Sequence, residues 1–131
     1  MSDGTSLVPN TDAARWAWAA GGMAADARSV ALWADALFDG RVLEENSLDQ
    51  MTDIRDTGDF FDYGLGVMEV ESASGSQKML GHGGRIVGFQ SEMWYLPADD
   101  VTIVVLVNDD TSRVLNIRDN MLDTVLSHLH E

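Results

Sequence analysis

The run from Val101 to Val107 constrains the fold more than any other part of the sequence. It reads V-T-I-V-V-L-V, contains no charged residue, and follows the turn-forming segment Pro97–Asp100. A strand that is apolar at both odd and even positions cannot leave either of its faces in water. The run therefore predicts a buried strand, which other elements of the chain must cover.

Helical spacing marks the first of these elements. Four apolar residues recur at that spacing before Gly40, and Asp26, a favoured cap residue, lies among them. Glycine is common just past the end of a helix. The pattern predicts a helix over about residues 26–39 with one buried face. The residues expected on that face are Met23, Val30, Trp33 and Leu37.

A second, shorter helix is predicted from a capping pattern. Ser47 and Gln50 match a capping box, in which the Ser hydroxyl and the Gln amide each satisfy an exposed backbone donor. We therefore expect a helix at about residues 47–53.

Strand-forming residues follow in three segments. Phe61 to Val70 is one, and the small polar stretch 72–77 separates it from the second, Lys78-Met79-Leu80. These two segments predict a β-hairpin. In the third, from Phe89 to Leu96, apolar and polar residues alternate, which predicts another strand.

A stripe of apolar residues after Asp109–Ser112 predicts a C-terminal helix. Helices at both ends with strands between them indicate an α+β fold: an antiparallel sheet of about four strands with N-terminal and C-terminal helices packed on it. With 131 residues, the chain fits one domain, 1–131, in which residues 1–19 form a loosely held lead-in. The stripe consists of Val114, Ile117, Met121, Leu122, Val125 and Leu129.

Charge and composition exclude several classes of function. The formal net charge is −14, which argues against nucleic acid or an anionic membrane as a partner, because both require basic patches. There is no cysteine, so disulfides, thiolate metal sites and a cysteine nucleophile are excluded. No stretch approaches eighteen uninterrupted apolar residues, and the first twenty lack the pattern of an export signal. We expect no cofactor.

The remaining polar clusters favour structural interpretations. His128 and His130 are two apart on a predicted helix and face different directions, so we expect no metal site there. Asp99, Asp100, Asp109 and Asp110 lie at predicted turns and at a helix start, where Asp favours turns and caps.

The segment Gly81-His82-Gly83-Gly84-Arg85 is the strongest candidate for a functional site. It places three glycines within five residues and leads into the apolar strands. Glycines flanked by strand-forming residues indicate a place where a ligand or another backbone comes close to the main chain.

Several short motifs occur together with this segment. In chain order they are Ala20-Gly21-Gly22-Met23, Asp39-Gly40, Tyr63-Gly64-Leu65-Gly66, Gly81-His82-Gly83-Gly84 with Gly88-Phe89, and a long apolar strand ending in Asn108. From about Ala20 to the end, this order resembles the C-terminal part of the serine β-lactamase and D-alanyl-D-alanine carboxypeptidase superfamily. Within this superfamily the motifs resemble those of class C-like enzymes and esterases. The resemblance implies a partial β-lactamase/transpeptidase-like fold over residues 20–131.

The resemblance also implies site residues. His82, Gly83 and Gly84 would be the family's Lys/His-Thr/Ser/Gly-Gly triplet on the strand beside the active site, and the Arg85 amide would help to form the oxyanion hole. An acyl-transfer site needs such a donor aimed at the developing negative charge. The side chain at the first triplet position would offer a donor to a substrate carboxylate.

Two other family motifs are missing from the sequence. The only lysine is Lys78, and position 75 is glycine, so there is no Ser-x-x-Lys nucleophile. Neither Tyr63 nor Tyr95 is followed two places later by Asn, so the Tyr-x-Asn motif is also missing. We therefore expect no complete catalytic set in these residues.

Three hypotheses follow. The leading one is a truncated stand-alone relative that is non-catalytic and self-associating, with a ligand groove beside Gly81–Gly88. The alternative is the C-terminal fragment of an active serine hydrolase acting on a β-lactam, a D-Ala-D-Ala peptide or an ester, with its nucleophile in a missing N-terminal segment or a partner chain. The third is an orphan reading frame without a selected role. Complete family members are usually exported, but the compartment of this chain and its small-molecule ligand are undetermined.

The resemblance also suggests a partner. In the complete family fold, two N-terminal strands extend the sheet beside the strand that corresponds to Val101–Val107. Without them, this strand has unpaired backbone groups along one edge. We expect the edge to pair with a second copy in a homodimer, or to be covered by the chain's own N-terminal segment.

Overall fold

A computed structural model describes residues 17–58, 61–73, 75 and 77–130. After a short 3₁₀ turn at Trp18–Ala20, it contains three α-helices and five β-strands. The helices are α1 (Ala27–Phe38), α2 (Glu45–Met51) and α3 (Val114–Leu129). The strands are β1 (Asp62–Tyr63), β2 (Met68–Glu71), β3 (Lys78–Ile86), β4 (Phe89–Leu96) and β5 (Val101–Val107).

The strands form one antiparallel sheet in the order β1-β2-β3-β4-β5. The predicted α+β class, with helices packed on an antiparallel sheet, is confirmed. The sheet has five strands instead of about four because the segment Phe61–Val70 forms two of them. Gly66, with φ of +80°, lies in the turn between them. The first, Asp62–Tyr63, is only two residues long, too short for an alternating pattern to reveal it.

Helices cover both faces of the sheet. Ile103 lies opposite Trp94 in the register of β4 and β5, and both belong to a buried cluster that includes Leu122 of α3. On the neighbouring positions, Thr102 donates a hydrogen bond to Asp35 of α1 over 2.6 Å, and Tyr95 of β4 stacks on a phenylalanine of the same helix. Since successive strand residues point to opposite faces, α1 and α3 lie on opposite sides of β5. This explains its apolar residues at both odd and even positions.

The predicted bounds of α1 are confirmed, but its buried face is not the predicted one. Asp26 accepts a hydrogen bond from the backbone N–H of Ser29 over 2.7 Å, as expected of a cap residue. Leu37 is buried as predicted, whereas Trp33 is 50% exposed and Met23, outside the helix, is 90% exposed. The small residue Ala34 is buried instead. A small residue lets the helix approach the sheet closely. The predicted face was chosen from large apolar residues, so it did not include Ala34.

The predicted capping box of α2 is wrong. The helix starts at Glu45, and its cap residue, Glu44, has no side-chain capping bond. The backbone N–H of Ser47 donates instead to the carbonyl of Glu44 over 2.8 Å. Ser47 is therefore already inside the first turn and cannot be the residue that precedes the helix.

The predicted stripe of α3 is only partly right. Val114 and Leu122 are buried. Arg118 lies between them at helical spacing, and its side chain is only 11% exposed. A charged residue on the buried face interrupts the apolar pattern, and this shifted the predicted stripe onto exposed positions. The predicted residues that are exposed are Ile117, Met121 and Leu129.

One edge of the sheet is open in the described part of the chain. There, β5 pairs with β4 alone. Most of the predicted lead-in, residues 1–16, lies outside the described residues, and so does any cover that it provides for this edge. None of the described helices is long and apolar enough to cross a membrane.

Candidate active site

The second half of β3 has a neighbouring strand on one side only. β4 pairs with β3 as far as Ile86, whereas the register of β2 with β3 ends at Gly81. In an antiparallel pair, successive residues direct their backbone groups alternately to either side. Every second residue of the segment 82–86 therefore directs its N–H and C=O away from β4, where the described residues provide no strand. We call this segment the open β3 segment.

The glycines in and beside the open β3 segment allow close contacts. A Cβ atom at Gly81 would overlap the backbone carbonyl oxygen of Met93. At Gly83 a Cβ would lie 3.0 Å from a carboxylate oxygen of Glu92. Gly81 is therefore required by the backbone of β4, and a side chain at Gly83 would displace a buried carboxylate.

His82 is held through both ring nitrogens. Its Nε2 lies 2.6 Å from the hydroxyl oxygen of Tyr63, and its Nδ1 contacts the carbonyl oxygen of Gly83. The rings of Tyr63 and His82 meet edge to face, with centroids 5.8 Å apart. The sequence placed His82 at the site but gave no indication of its contact with Tyr63, because the two lie 19 residues apart in the chain.

The backbone of Tyr63 is fixed from two directions. Tyr63 and Arg55 exchange two backbone hydrogen bonds of 3.0 Å, and Leu65 donates to the carbonyl of Met51, the last residue of α2, over 3.0 Å. A Cβ at Gly64 would overlap that same carbonyl oxygen. Glycine at this position therefore lets the turn after β1 lie directly against the end of α2.

An open depression lies beside Tyr63. The guanidinium of Arg55 donates to the carboxylate of Asp53, and both side chains are largely exposed. The depression is thus lined by Tyr63 and by a surface ion pair. Its lining residues are Gln50, Asp53, Arg55, Tyr63, Gly64 and Leu65.

A buried charged cluster lies behind the glycines. Glu92, which is 5% exposed, accepts a hydrogen bond from the indole N–H of Trp94 and lies 3.6 Å from the guanidinium of Arg118. Arg118 also lies over the Trp94 ring and pairs with Asp119 over 2.7 Å. This cluster was not predicted from the sequence, because Glu92 and Arg118 lie on separate elements and no local pattern pairs them.

The far end of the open β3 segment is tied to the loop after β5. The guanidinium of Arg85 donates to the carbonyl of Asp110 over 2.6 Å. Gln90 donates to the carbonyls of Asp109 and Ser112 over 2.8 and 2.9 Å. The Arg85 side chain therefore has a structural partner, and the role predicted for this residue concerns its backbone amide.

The acidic residues of this loop form turns, as predicted for Asp109. Its carboxylate accepts from the hydroxyl of Thr111 over 2.6 Å and from the backbone N–H of the same residue over 2.8 Å. The Thr111 hydroxyl, followed by its N–H and the Ser112 hydroxyl, lowers the pKa of Asp109 below its usual range. The group is thus a fixed anion at neutral pH.

Lys78 is not placed as a general base. It forms an ion pair with Glu69 over 2.6 Å on the exposed surface. The hydrogen bond and charge of Glu69 raise the pKa of Lys78, so the amine remains protonated.

No group of three or more metal-binding side chains occurs among the described residues. The roles of His82, Gly83, Gly84 and Arg85 stay predictions, and the structure places all four next to one another on β3.

The Beta-lactamase family matches residues 2–126 of the chain. With this match over most of its length, the chain belongs to the Beta-lactamase family. No curated protein sequence matches it.

Solved structures of two D-specific enzymes are similar to the chain. D-amino acid amidase from Ochrobactrum anthropi SV3, complexed with D-phenylalanine, is 26% identical with a TM-score of 0.66, and the match covers 83% of this chain and 37% of the amidase. D-stereospecific amidohydrolase from Streptomyces sp. is 28% identical with a TM-score of 0.58, and the match covers 66% of this chain and 26% of the amidohydrolase. The chain thus spans about a quarter to a third of the length of these relatives.

Proposed function

We propose that this chain forms the strand wall of a β-lactamase-like acyl-transfer site and does not break the acyl bond by itself. The observation that carries the proposal is the open β3 segment, which contains His82 and Gly83 and has no strand beside it on the side away from β4 among the described residues. An extended acyl compound can align along such an edge by main-chain hydrogen bonds. Because Gly83 and Gly84 carry no side chains, the ligand can lie directly on the strand.

The ligand class that we propose is the D-amino acid amide, with β-lactams and esters as related acyl compounds. Its support is the likeness to two enzymes described as acting on D-configured or amide substrates. In this proposal the Arg85 amide donates to the carbonyl oxygen of the ligand, where negative charge develops during acyl transfer. Serine β-lactamases and penicillin-binding proteins use a Ser-x-x-Lys motif for acyl transfer, and these 131 residues contain none.

The alternative is that the same wall serves an active serine hydrolase, with the nucleophile on a preceding segment or on a partner chain. The short span relative to the two solved enzymes favours it. The first version has no acylating serine, whereas the alternative places one outside these 131 residues. Coding sequence for an in-frame Ser-x-x-Lys upstream of the Met1 codon would decide for the alternative.

Binding tests the wall directly. D-phenylalanine amide titrated into ¹⁵N-labelled chain should shift the backbone amide signals of residues 82–86. In the same spectra, the amide signals around the exposed residue Asp123 serve as the reference for general solvent effects. Saturable shifts confined to β3 and its neighbours would support the proposal, and equal, non-saturating shifts throughout the spectrum would contradict it.

We also propose that two copies of the chain associate through β5. In the described residues this strand pairs with β4 alone, and it carries neither a charge nor a proline that would discourage pairing. Two copies related by a two-fold axis place the same strand antiparallel to itself and continue both sheets. Cover by the chain's own residues 1–16 is the competing outcome, and a monomer in solution would indicate it.

A further inference from the structure

The partners of His82 determine which of its nitrogens carries the proton. A carbonyl oxygen only accepts hydrogen bonds, so the contact between Nδ1 and the Gly83 carbonyl requires a proton on Nδ1. In the neutral ring Nε2 is then an acceptor, and the Tyr63 hydroxyl, 2.6 Å away, donates to it. Both nitrogens are thereby satisfied inside the protein.

The Tyr63 hydroxyl, by contrast, keeps capacity for a ligand. Tyr63 lines the depression next to α2, and His82 is not among its described lining residues. A phenol oxygen that has given its proton to Nε2 retains lone pairs and meets any further group as an acceptor. The Tyr63 oxygen can therefore accept from an N–H group of a ligand that reaches it.

We propose that Tyr63 is a positioning residue for His82: it holds the imidazole as the Nδ1–H tautomer, and its own hydroxyl oxygen receives an N–H group of the ligand. The chemical class that fits is an ammonium or a primary amide, which the carboxylate of Asp53 in the same depression also favours. The ligand part rests on the proposed function, whereas the tautomer does not.

The surroundings of Tyr63 suit this role. Its backbone is bonded to Arg55 on one side, and the turn that follows it is seated on Met51. Tyr63 is only half-buried, and its ring meets that of His82 edge to face. A group fixed in this way loses little freedom on meeting a ligand.

The tautomer can be read by long-range ¹H–¹⁵N correlation spectra of the three histidines at a pH where they are neutral, with His82 assigned from its loss in His82→Asn. The wild-type chain should show Nδ1 protonated and Nε2 unprotonated. Tyr63→Phe removes the donor to Nε2 and should lower the Nδ1–H to Nε2–H ratio by about two- to ten-fold, the factor of one ordinary hydrogen bond.

Tyr95→Phe is the matched control. It also removes one phenol hydroxyl, but Tyr95 stacks on Phe38 and donates to Asp100 over 3.2 Å, away from His82. His82 should keep its tautomer in this variant. An Nε2–H tautomer in the wild type, or a ratio that Tyr63→Phe leaves unchanged, would overturn the positioning role.

The ligand part has its own readout. Titration with D-phenylalanine amide should shift the Tyr63 ring signals, and Tyr63→Phe should weaken binding several-fold more than Tyr95→Phe. Equal binding by both variants would overturn the ligand contact. If the wild type binds no amide at all while its His82 shows the expected tautomer, the proposed function and the ligand contact fail together and the positioning role stands.

Discussion

At the scale of single residues, the candidate site depends on glycines at positions where a side chain would not fit. Gly64 and Gly81 each lie where a Cβ would overlap a backbone carbonyl oxygen, that of Met51 and that of Met93. Gly83 lies against the Glu92 carboxylate. The glycines therefore do more than loosen the chain: they let β3 and the turn before β2 approach other main-chain segments closely enough to position His82 and Tyr63.

Gly81→Ala should therefore lower the free energy of unfolding by about 2 kcal/mol or more, because the Met93 carbonyl belongs to β4, which is paired on both sides, and cannot move aside alone. Urea denaturation followed by tryptophan fluorescence measures this. Gly84→Ala is the control, since its close neighbour is the rotatable hydroxyl of Ser91, and it should cost less than about 1 kcal/mol. Equal losses in the two variants would contradict the proposed cause.

Particular residues also show how far the sequence leads. Asp26 and Gly40 gave the bounds of α1, and the glycine spacing around His82 located the open β3 segment, because caps and close approaches depend on local residue types. Tyr63 beside His82 and Glu92 beside Arg118 are contacts between distant parts of the chain. No local pattern predicts them, and the charge of Arg118 on a buried face misdirected the prediction for α3.

At the scale of elements, a polar cluster fastens the end of α3 to the sheet. Asp99, in the turn between β4 and β5, accepts from the ring of His130 over 2.8 Å and from the amide of Gln77. His130 follows the last residue of α3, and Gln77 precedes β3. One carboxylate therefore joins a helix end, a turn and the start of the strand that carries the candidate site.

This cluster predicts a pH dependence of stability. The hydrogen bond from His130, followed by that from Gln77, lowers the pKa of Asp99 below its usual range. A carboxylate whose pKa is lower in the folded state stabilises the protein fully above its unfolded pKa, about 3.9, and loses that contribution as the pH falls through the folded pKa.

Asp99→Asn should therefore lower the stability at pH 7. The decrease in stability as the pH falls from about 5 to about 2 should be smaller than in the wild type. Thermal denaturation at a series of pH values measures both effects. Asp123→Asn, at an exposed position of α3, should follow the wild-type pH profile closely. A profile for Asp99→Asn that runs parallel to the wild type at every pH would rule out Asp99 as the source.

At the scale of the whole molecule, the strand that dominates the sequence is also the one at an edge. β5 is covered on both faces by α1 and α3, and within the described residues its outer edge has no strand. Burial of the faces satisfies the apolar side chains, whereas the outward backbone groups are left to water unless another strand pairs with them. Association of two chains is the simplest arrangement that does so with a single sequence.

Leu106→Lys should convert the proposed dimer into a monomer, because a lysine on an edge strand discourages pairing. Leu106 is 38% exposed on β5, whereas Leu115, 50% exposed on α3, offers a control substitution to lysine away from the edge. Light scattering after size-exclusion chromatography gives the masses. A monodisperse monomer for the unsubstituted chain would contradict association through β5.

In the proposed function, these residues form an acyl-binding wall and lack the means to acylate. The most direct test incubates the purified chain with a chromogenic cephalosporin and with D-phenylalanine amide, and follows turnover together with the intact mass of the protein. We predict rates equal to a protein-free control and no covalent acyl adduct. Turnover above that control, abolished by His82→Ala, would contradict the account.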